Sequence, residues 1–161
     1  MQLGRAAGAR VTATVRNEEL RGAVEELGAT AVAPEGFEER GPFDVVLELV
    51  GAPNLAANVG ALETGGRIVV IGIGAGAKAE LNLGLLMGKR AVVRGSTLRA
   101  RPLEQKADAA RRVERHVLPL VEARQVRVPV ADTYPLESAA EAYDRFAAGG
   151  KLGKVVLVAG G

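Results

Sequence analysis

Residues 43–77 read FDVVLELVGAPNLAANVGALETGGRIVVIGIGAGA, and this stretch decides the fold. Phe43–Val50 is a nearly continuous apolar run of strand length. Pro53-Asn54 opens a helix through Leu62, with apolar residues at 55, 59 and 62. Gly65-Gly66 is a turn. Arg67–Ile73 is the most apolar strand of the chain, and glycines follow at 72, 74 and 76. Strands that are apolar on both faces and separated by a helix belong to a parallel sheet covered by helices.

The same alternation extends in both directions. Upstream, residues 9–15, ARVTATV, read as a strand. Asn17 caps the next helix, whose first turn carries Glu18 and Glu19 as the helix dipole favours. Leu20, Val24 and Leu27 share one face of it, and Gly28 sits where a C′ residue belongs. Thr30–Ala33 is a short strand stopped by Pro34, and residues 34–42 form a polar loop. Downstream, residues 82–88 form a short helix and Arg90–Gly95 a strand. Pro102 fits the N1 position of a long helix over about 103–124. An extended segment over 126–134, an amphipathic helix over 136–148 and a closing strand, Gly153–Val158, complete the chain. The fold class is α/β, a doubly wound parallel sheet with helices on both faces.

Composition agrees. The chain has 161 residues, 48% of them hydrophobic and only 3% aromatic, so Ala, Val, Leu and Ile must build the core. No apolar run approaches the roughly 20 residues of a membrane span, and MQLGRAAGAR lacks a secretory apolar stretch. A cytoplasmic protein with no membrane partner is expected. Cysteine is absent, which excludes disulfides and thiol chemistry. A single histidine, His116, and no cysteine leave no zinc site in this chain, so no metal is expected. Residues 89–127 carry eleven basic and four acidic groups, against seven and eleven in residues 1–88. The basic stretch lacks the interleaved aromatics that stack bases, so no nucleic-acid partner is expected. A solvated helix face or a nearby phosphate-bearing cofactor accounts for it.

Residues 2–7, QLGRAA, look like the second half of an amphipathic helix ending at Gly8. In a Rossmann fold such a helix follows a central first strand and a glycine loop that cradles a pyrophosphate. Spacing leaves two readings open: a Rossmann-like sheet lacking that strand and loop, or a different α/β order that starts with a helix. Either way, ligands of such sheets bind beyond the carboxyl ends of the strands, here at 15–17, 48–51, 72–76 and 94–97.

Gly72–Ala77 matches G-x-G-x-x-A, but a dinucleotide fingerprint needs a helix at once and an acid ending the next strand. Further glycines follow and the next strand ends at Arg94-Gly95, so the stretch reads as a strand end that lets a ligand approach the backbone. Arg16 stands just past a strand end where NAD-binding domains place an acid; a cation there suits the 2′-phosphate of NADP, and a surface arginine is the plain alternative. Glu48, within an apolar strand, is costly to bury unpaired; it is hydrogen-bonded or lines the cleft. Ser96 and Thr97 have no histidine near in sequence to activate them. His116 is expected at the surface, and Tyr134 and Tyr143 in packing roles.

Six segments, in this order and spacing, carry a family likeness: QLGRAAGARVTATVRNEE (2–19), EELGATAV (25–32), FDVVLELVG (43–51), LETGGRIVVIG (62–72), KRAVVRGSTLRARP (89–102) and GGKLGKVVLV (149–158). Together they resemble the medium-chain dehydrogenase/reductase superfamily, most closely its zinc-independent NADPH:quinone oxidoreductases. The resemblance implies a first strand and glycine turn just before Gln2, and a catalytic domain ahead of them. It implies a dinucleotide-binding domain over 1–127 and a C-terminal segment, 128–161, that packs back on the catalytic domain. Cofactor contacts are implied at Arg16 and Asn17 for the 2′-phosphate, at Leu49, Val50 and Gly51, at Gly72, Ile73 and Gly74 on the nicotinamide side, and at Arg94, Gly95, Ser96 and Thr97. The lysine often found in the helix after the second strand is Leu20 here, which weakens the preference for NADP(H) over NAD(H).

The implied activity is hydride transfer from NADPH to a quinone or an α,β-unsaturated carbonyl, with positioning and electrostatics as the protein's part. No catalytic acid is identifiable in this chain, and these 161 residues alone are expected to be inactive. Other readings are an alcohol dehydrogenase or an enoyl-reductase segment of the same superfamily, and a non-catalytic nucleotide-binding or interaction module. Unpaired strand edges associate readily, so a homo-oligomer is expected, through strand 90–95.

Overall fold

A computed structural model describes residues 1–160; Gly161, the last residue of the expected C-terminal segment, lies outside the described residues. Seven strands and seven α-helices are described: α1 Gln2–Ala6, β1 Thr12–Thr14, α2 Arg21–Glu25, β2 Thr30–Val32, β3 Phe43–Glu48, α3 Leu55–Gly60, β4 Leu62–Val70, α4 Leu83–Lys89, β5 Val92–Gly95, α5 Leu103–His116, α6 Leu118–Glu122, β6 Val130–Pro135, α7 Ala139–Ala147 and β7 Lys154–Val158. Every strand pairing is parallel: β1 with β2, β3 with β4 and β4 with β5, and β6 with β7. Parallel pairing needs crossovers rather than hairpins, and the short helices between the strands provide them. Among the described residues no strand pairs with the outer edge of β3 or with the second edge of β1.

The chain divides into two compact units, Met1–Pro34 with the chain from Ala109 onward, and Glu35–Asp108. In the second unit α3 and α4 pack on β4. Val59, Leu62 and Ile68 are almost wholly buried there, with Val46, Leu55, Val70 and Val93 against them. Burying each such side chain contributes about 1.5–3 kcal/mol. Lys89, in the last turn of α4, donates from Nζ to the Leu62 carbonyl. The first unit packs more thinly: its buried apolar residues are Val24, Leu27, Ala29 and Ala142.

Local rules account for most element ends. Asn17 Oδ1 accepts the Glu19 amide at 3.0 Å, the expected cap, although a 3-10 turn over Glu18–Leu20 precedes α2. Gly28 has the positive φ of a helix-ending glycine, +90°, but it stands at C″ rather than the expected C′, because α2 is capped at Glu26. The expected single helix over 103–124 is broken at Val117, where α5 ends and α6 begins with Pro119 in its first turn. Proline has no amide to donate and its ring clashes with the carbonyl four residues back. Strand β4 starts at Leu62 rather than Arg67, because Leu62 pairs with Phe43 ahead of the Gly65-Gly66 turn. It ends at Val70, so Ile71–Ile73 already belongs to the loop.

Candidate functional site: the carboxyl ends of β3, β4 and β5

Registration across the three-stranded sheet sets Glu48, Val70 and Gly95 side by side at its carboxyl end. The chain leaves all three strands at one level. It continues into the turns 49–52 and 71–76 and the segment 96–101.

Glu48 organises the first turn. It is 4% exposed. Its Oε1 accepts the backbone amides of Val50 and of Gly51, the latter at 2.8 Å, and its Oε2 accepts Asn58 Nδ2 from α3. Burial pushes the carboxyl up, but those backbone amides, with Asn58 and Asn54, outweigh it and hold the group below the ordinary glutamate value. Of the two readings left open in the sequence, Glu48 is thus hydrogen-bonded.

The turn after β3 is stitched to the turn after β4. The Ile71 and Gly72 amides donate to the Glu48 carbonyl at 2.9 and 3.1 Å, Ala75 N to the Val50 carbonyl at 2.9 Å, and Ala52 N to the Gly76 carbonyl at 2.9 Å. Two glycines permit this closeness. A Cβ on Gly72 would lie 2.1 Å from the Leu49 carbonyl oxygen. Gly51 has φ +112°, and a Cβ there would lie 2.5 Å from the Gly76 carbonyl oxygen.

Beside this seam, the Ser96 amide donates to the Val70 carbonyl at 2.9 Å, continuing the strand pairing past Gly95. Arg101 Nε donates to the Thr97 carbonyl at 2.6 Å, and its Nη2 to Ser96 Oγ at 2.7 Å. Ile71, Ser96, Thr97, Leu98 and Arg101 line an open depression of about 360 Å³. Leu49, Ile71, Ile73 and Leu98 all stand about half exposed or more at this end of the sheet. The strand ends therefore offer apolar side chains, the open backbone of Gly74 and one half-buried guanidinium.

The sequence-predicted residues divide accordingly. Leu49, Val50 and Gly51 come together with Gly72, Ile73 and Gly74 through the stitched turns, and Gly95, Ser96 and Thr97 adjoin them. Arg94 pairs in register with Val69 one step back along the strand. Arg16 and Asn17 belong to the other unit, past the end of β1. Arg16 is exposed there. Arg21 Nε donates to the Val15 carbonyl at 3.3 Å, and its Nη1 pairs with Glu18 at 3.3 Å, which adds a second cation at that strand end. Sequence reasoning passed over Arg21 and Arg101. The available signal was position: each arginine follows a strand end by a few residues. Gly72–Ala77 is not a fingerprint loop, because the next helix starts only at Leu83. Tyr143 is 71% exposed, against the packing role expected of it: α7 has only Ala142 buried, and Tyr143 is the next residue round the helix. Among the described residues no group of three or more His, Cys, Asp or Glu could hold a metal ion, and no helix is long and apolar enough to cross a membrane.

This arrangement has relatives. The family profile described as zinc-binding dehydrogenase matches residues 24–157. The chain belongs to the zinc-binding dehydrogenase family. Within the medium-chain dehydrogenase/reductase superfamily it corresponds to the C-terminal, Rossmann-like part. It is 29% identical to the acryloyl-coenzyme A reductase of Metallosphaera sedula, over 98% of this chain and 46% of that protein. With the quinone oxidoreductase of Mus musculus it shares 29% identity, over 98% and 50%. Among solved structures, a cobalt- and zinc-bound thermostable alcohol dehydrogenase from Pyrobaculum aerophilum superposes with a TM-score of 0.78 at 28% identity, covering 98% of this chain and 45% of that one. The chain spans about half the length of the curated relatives it matches. All three relatives are oxidoreductases by name, and the superposition on the alcohol dehydrogenase shows a shared fold.

Proposed function

We propose that this chain is the cofactor-binding part of an NADPH-dependent oxidoreductase that passes hydride to a quinone or an α,β-unsaturated carbonyl. The observation that carries the reading is the in-register carboxyl end of β3–β5, where glycine backbone and exposed apolar side chains meet. The residues present fit a nicotinamide ring. Leu49, Ile71 and Ile73 are apolar and exposed, and at Gly74 the space a side chain would take is open, so a ligand can approach the backbone there. Ser96, Thr97 and Arg101 supply the few polar groups that orient a ligand in an otherwise apolar site.

Bound there, the reduced nicotinamide supplies the hydride. This chain's residues bind and orient. Leu49–Gly51 and Gly72–Gly74 would hold the nicotinamide side, with Arg94–Thr97 adjoining. Arg16 and Asn17 would take the 2′-phosphate, with Arg21 as a further cation at that strand end; an arginine forms strong charge-assisted bonds to a phosphate. Those contacts support NADP(H) over NAD(H). To the same reading belong a C-terminal segment over 128–161 that packs on a catalytic domain, and self-association through the outer edge of β5, where Val92 is 53% exposed.

Calorimetric titration with NADPH and with NADH tests the proposal. NADPH is expected to bind at least about tenfold more tightly, a difference of about 1.4 kcal/mol. No binding of either at millimolar concentration would refute it.

A further inference from the structure

Glu48 poses a question that packing does not answer. The chain around it is otherwise apolar from Val45 to Val50, and the position is 4% exposed. An aliphatic residue would fill such a place without desolvating a charge. The hydrogen bonds the carboxylate receives come from neutral donors, the amides of Val50 and Gly51 and the side chain of Asn58, with the Asn54 side chain as a weaker neutral contact. Two of those three donors lie in the turn just after it. With both amides drawn to the carboxylate, the Val50 carbonyl is left to accept Ala75 N, and Ala52 N reaches the Gly76 carbonyl. The Leu49 carbonyl oxygen then rests against the bare Cα of Gly72. The ties between the two turns thus depend on the conformation that the Glu48 clamp imposes on residues 49–51.

We infer that Glu48 is a positioning residue for the dinucleotide: it fixes the 49–51 turn, and through it the 71–76 turn, so that both strand ends meet the nicotinamide half of the ligand. It touches no ligand itself. The inference rests on the proposed dinucleotide function.

What the clamp needs is hydrogen-bond acceptance at the right reach, not charge as such. A glutamine keeps the reach: its oxygen can accept the two amides while its amide group faces Asn58, whose own amide can turn its oxygen round. An aspartate keeps the charge but is one methylene too short. An alanine loses both.

The test uses the full chain and two probes, NADPH and adenosine 2′,5′-bisphosphate, which lacks the nicotinamide half. The quantity read is the ratio of their dissociation constants. In Glu48→Asp and Glu48→Ala the ratio is expected to shift about tenfold against NADPH, with adenosine bisphosphate bound as in the wild type. In Glu48→Gln the ratio is expected to stay within about threefold. Asn58→Ala removes only the third hydrogen bond and keeps both turn amides clamped; it is expected to lower the unfolding midpoint and leave the ratio alone, which serves if the Glu48→Ala chain does not fold. Loss of both probes in equal proportion would show a merely structural residue and overturn the inference, as would an unchanged ratio in Glu48→Asp. A wild-type chain that binds neither probe overturns the dinucleotide reading itself, a result distinct from either.

Discussion

The two strand ends assigned to the ligand are built in opposite ways. Beyond β3 and β4 the chain is locked: a buried carboxylate, glycines without room for a Cβ and four backbone hydrogen bonds join two turns. Beyond β1 it is open. Strands β1 and β2 are three residues each, Arg16 is exposed, and Arg21 holds the Val15 carbonyl with a long 3.3 Å bond. On the proposed function, the difference suits the part of the ligand each end would hold. A ring lying against backbone needs a surface fixed to a fraction of an ångström. A phosphate in solvent needs only cations within reach, and long flexible side chains supply them.

Substitutions beyond β3 and β4 should therefore cost more stability than those beyond β1. The largest effect is expected from Gly72→Val. Its Cβ would meet the Leu49 carbonyl oxygen, a backbone atom that cannot step aside, at 2.1 Å. A loss of about 3 kcal/mol is expected, read from chemical denaturation of the second unit. A wild-type midpoint would mean that the two turns are not held together as described.

Glu48→Ala comes next, at about 2 kcal/mol, because it leaves buried amides and Asn58 without their acceptor. The pH dependence of the same residue sharpens the point. Its carboxyl lies lower in the folded chain than in the unfolded one. Its stabilising share is therefore complete above the unfolded value of about 4.3 and is lost as pH falls through the folded value. Denaturation midpoints measured on acidification should drop over that window in the wild type and drop less in Glu48→Gln. Parallel curves for the two chains would contradict the assignment.

Effects beyond β1 should be smaller. Asn17→Ala removes the cap on the Glu19 amide and is expected to cost about 1 kcal/mol. Arg16→Ala should change stability by less than about 0.5 kcal/mol, as an exposed side chain does. The same variant should lose about tenfold in NADPH affinity and little in NADH affinity. If Arg16→Ala weakened both cofactors equally, the 2′-phosphate would not be its partner.

Much of this was legible in the residues, for reasons that can be named. The alternation of FDVVLELV, a helix and RIVVIG fixes parallel pairing because strands apolar on both faces need cover on both faces. Asn17 and Gly28 announce a cap and a helix stop by local chemistry alone. Pro119 was equally visible and breaks the long helix where its missing amide dictates. Strand β4's early start was not visible, because Leu62 joins the sheet through Phe43, a contact made in space. Glu48 stood out as a charge in an apolar strand, but its partner Asn58 sits on a helix that only the fold brings back to it. Arg101 escaped notice because its role depends on the Ser96 hydroxyl and Thr97 carbonyl, which the turn after β5 places within reach.

If the carboxyl ends of β3, β4 and β5 are the nicotinamide surface, a bound dinucleotide must perturb them first. Amide nitrogen–hydrogen correlation spectra of the chain titrated with NADPH test this most directly. Shifts are expected to concentrate at residues 49–51, 71–76 and 95–98, with a second set at 15–17 that is much reduced when NADH replaces NADPH. Shifts confined to residues 106–127, within the basic stretch 89–127, with residues 49–51 and 71–76 unmoved, would contradict that assignment.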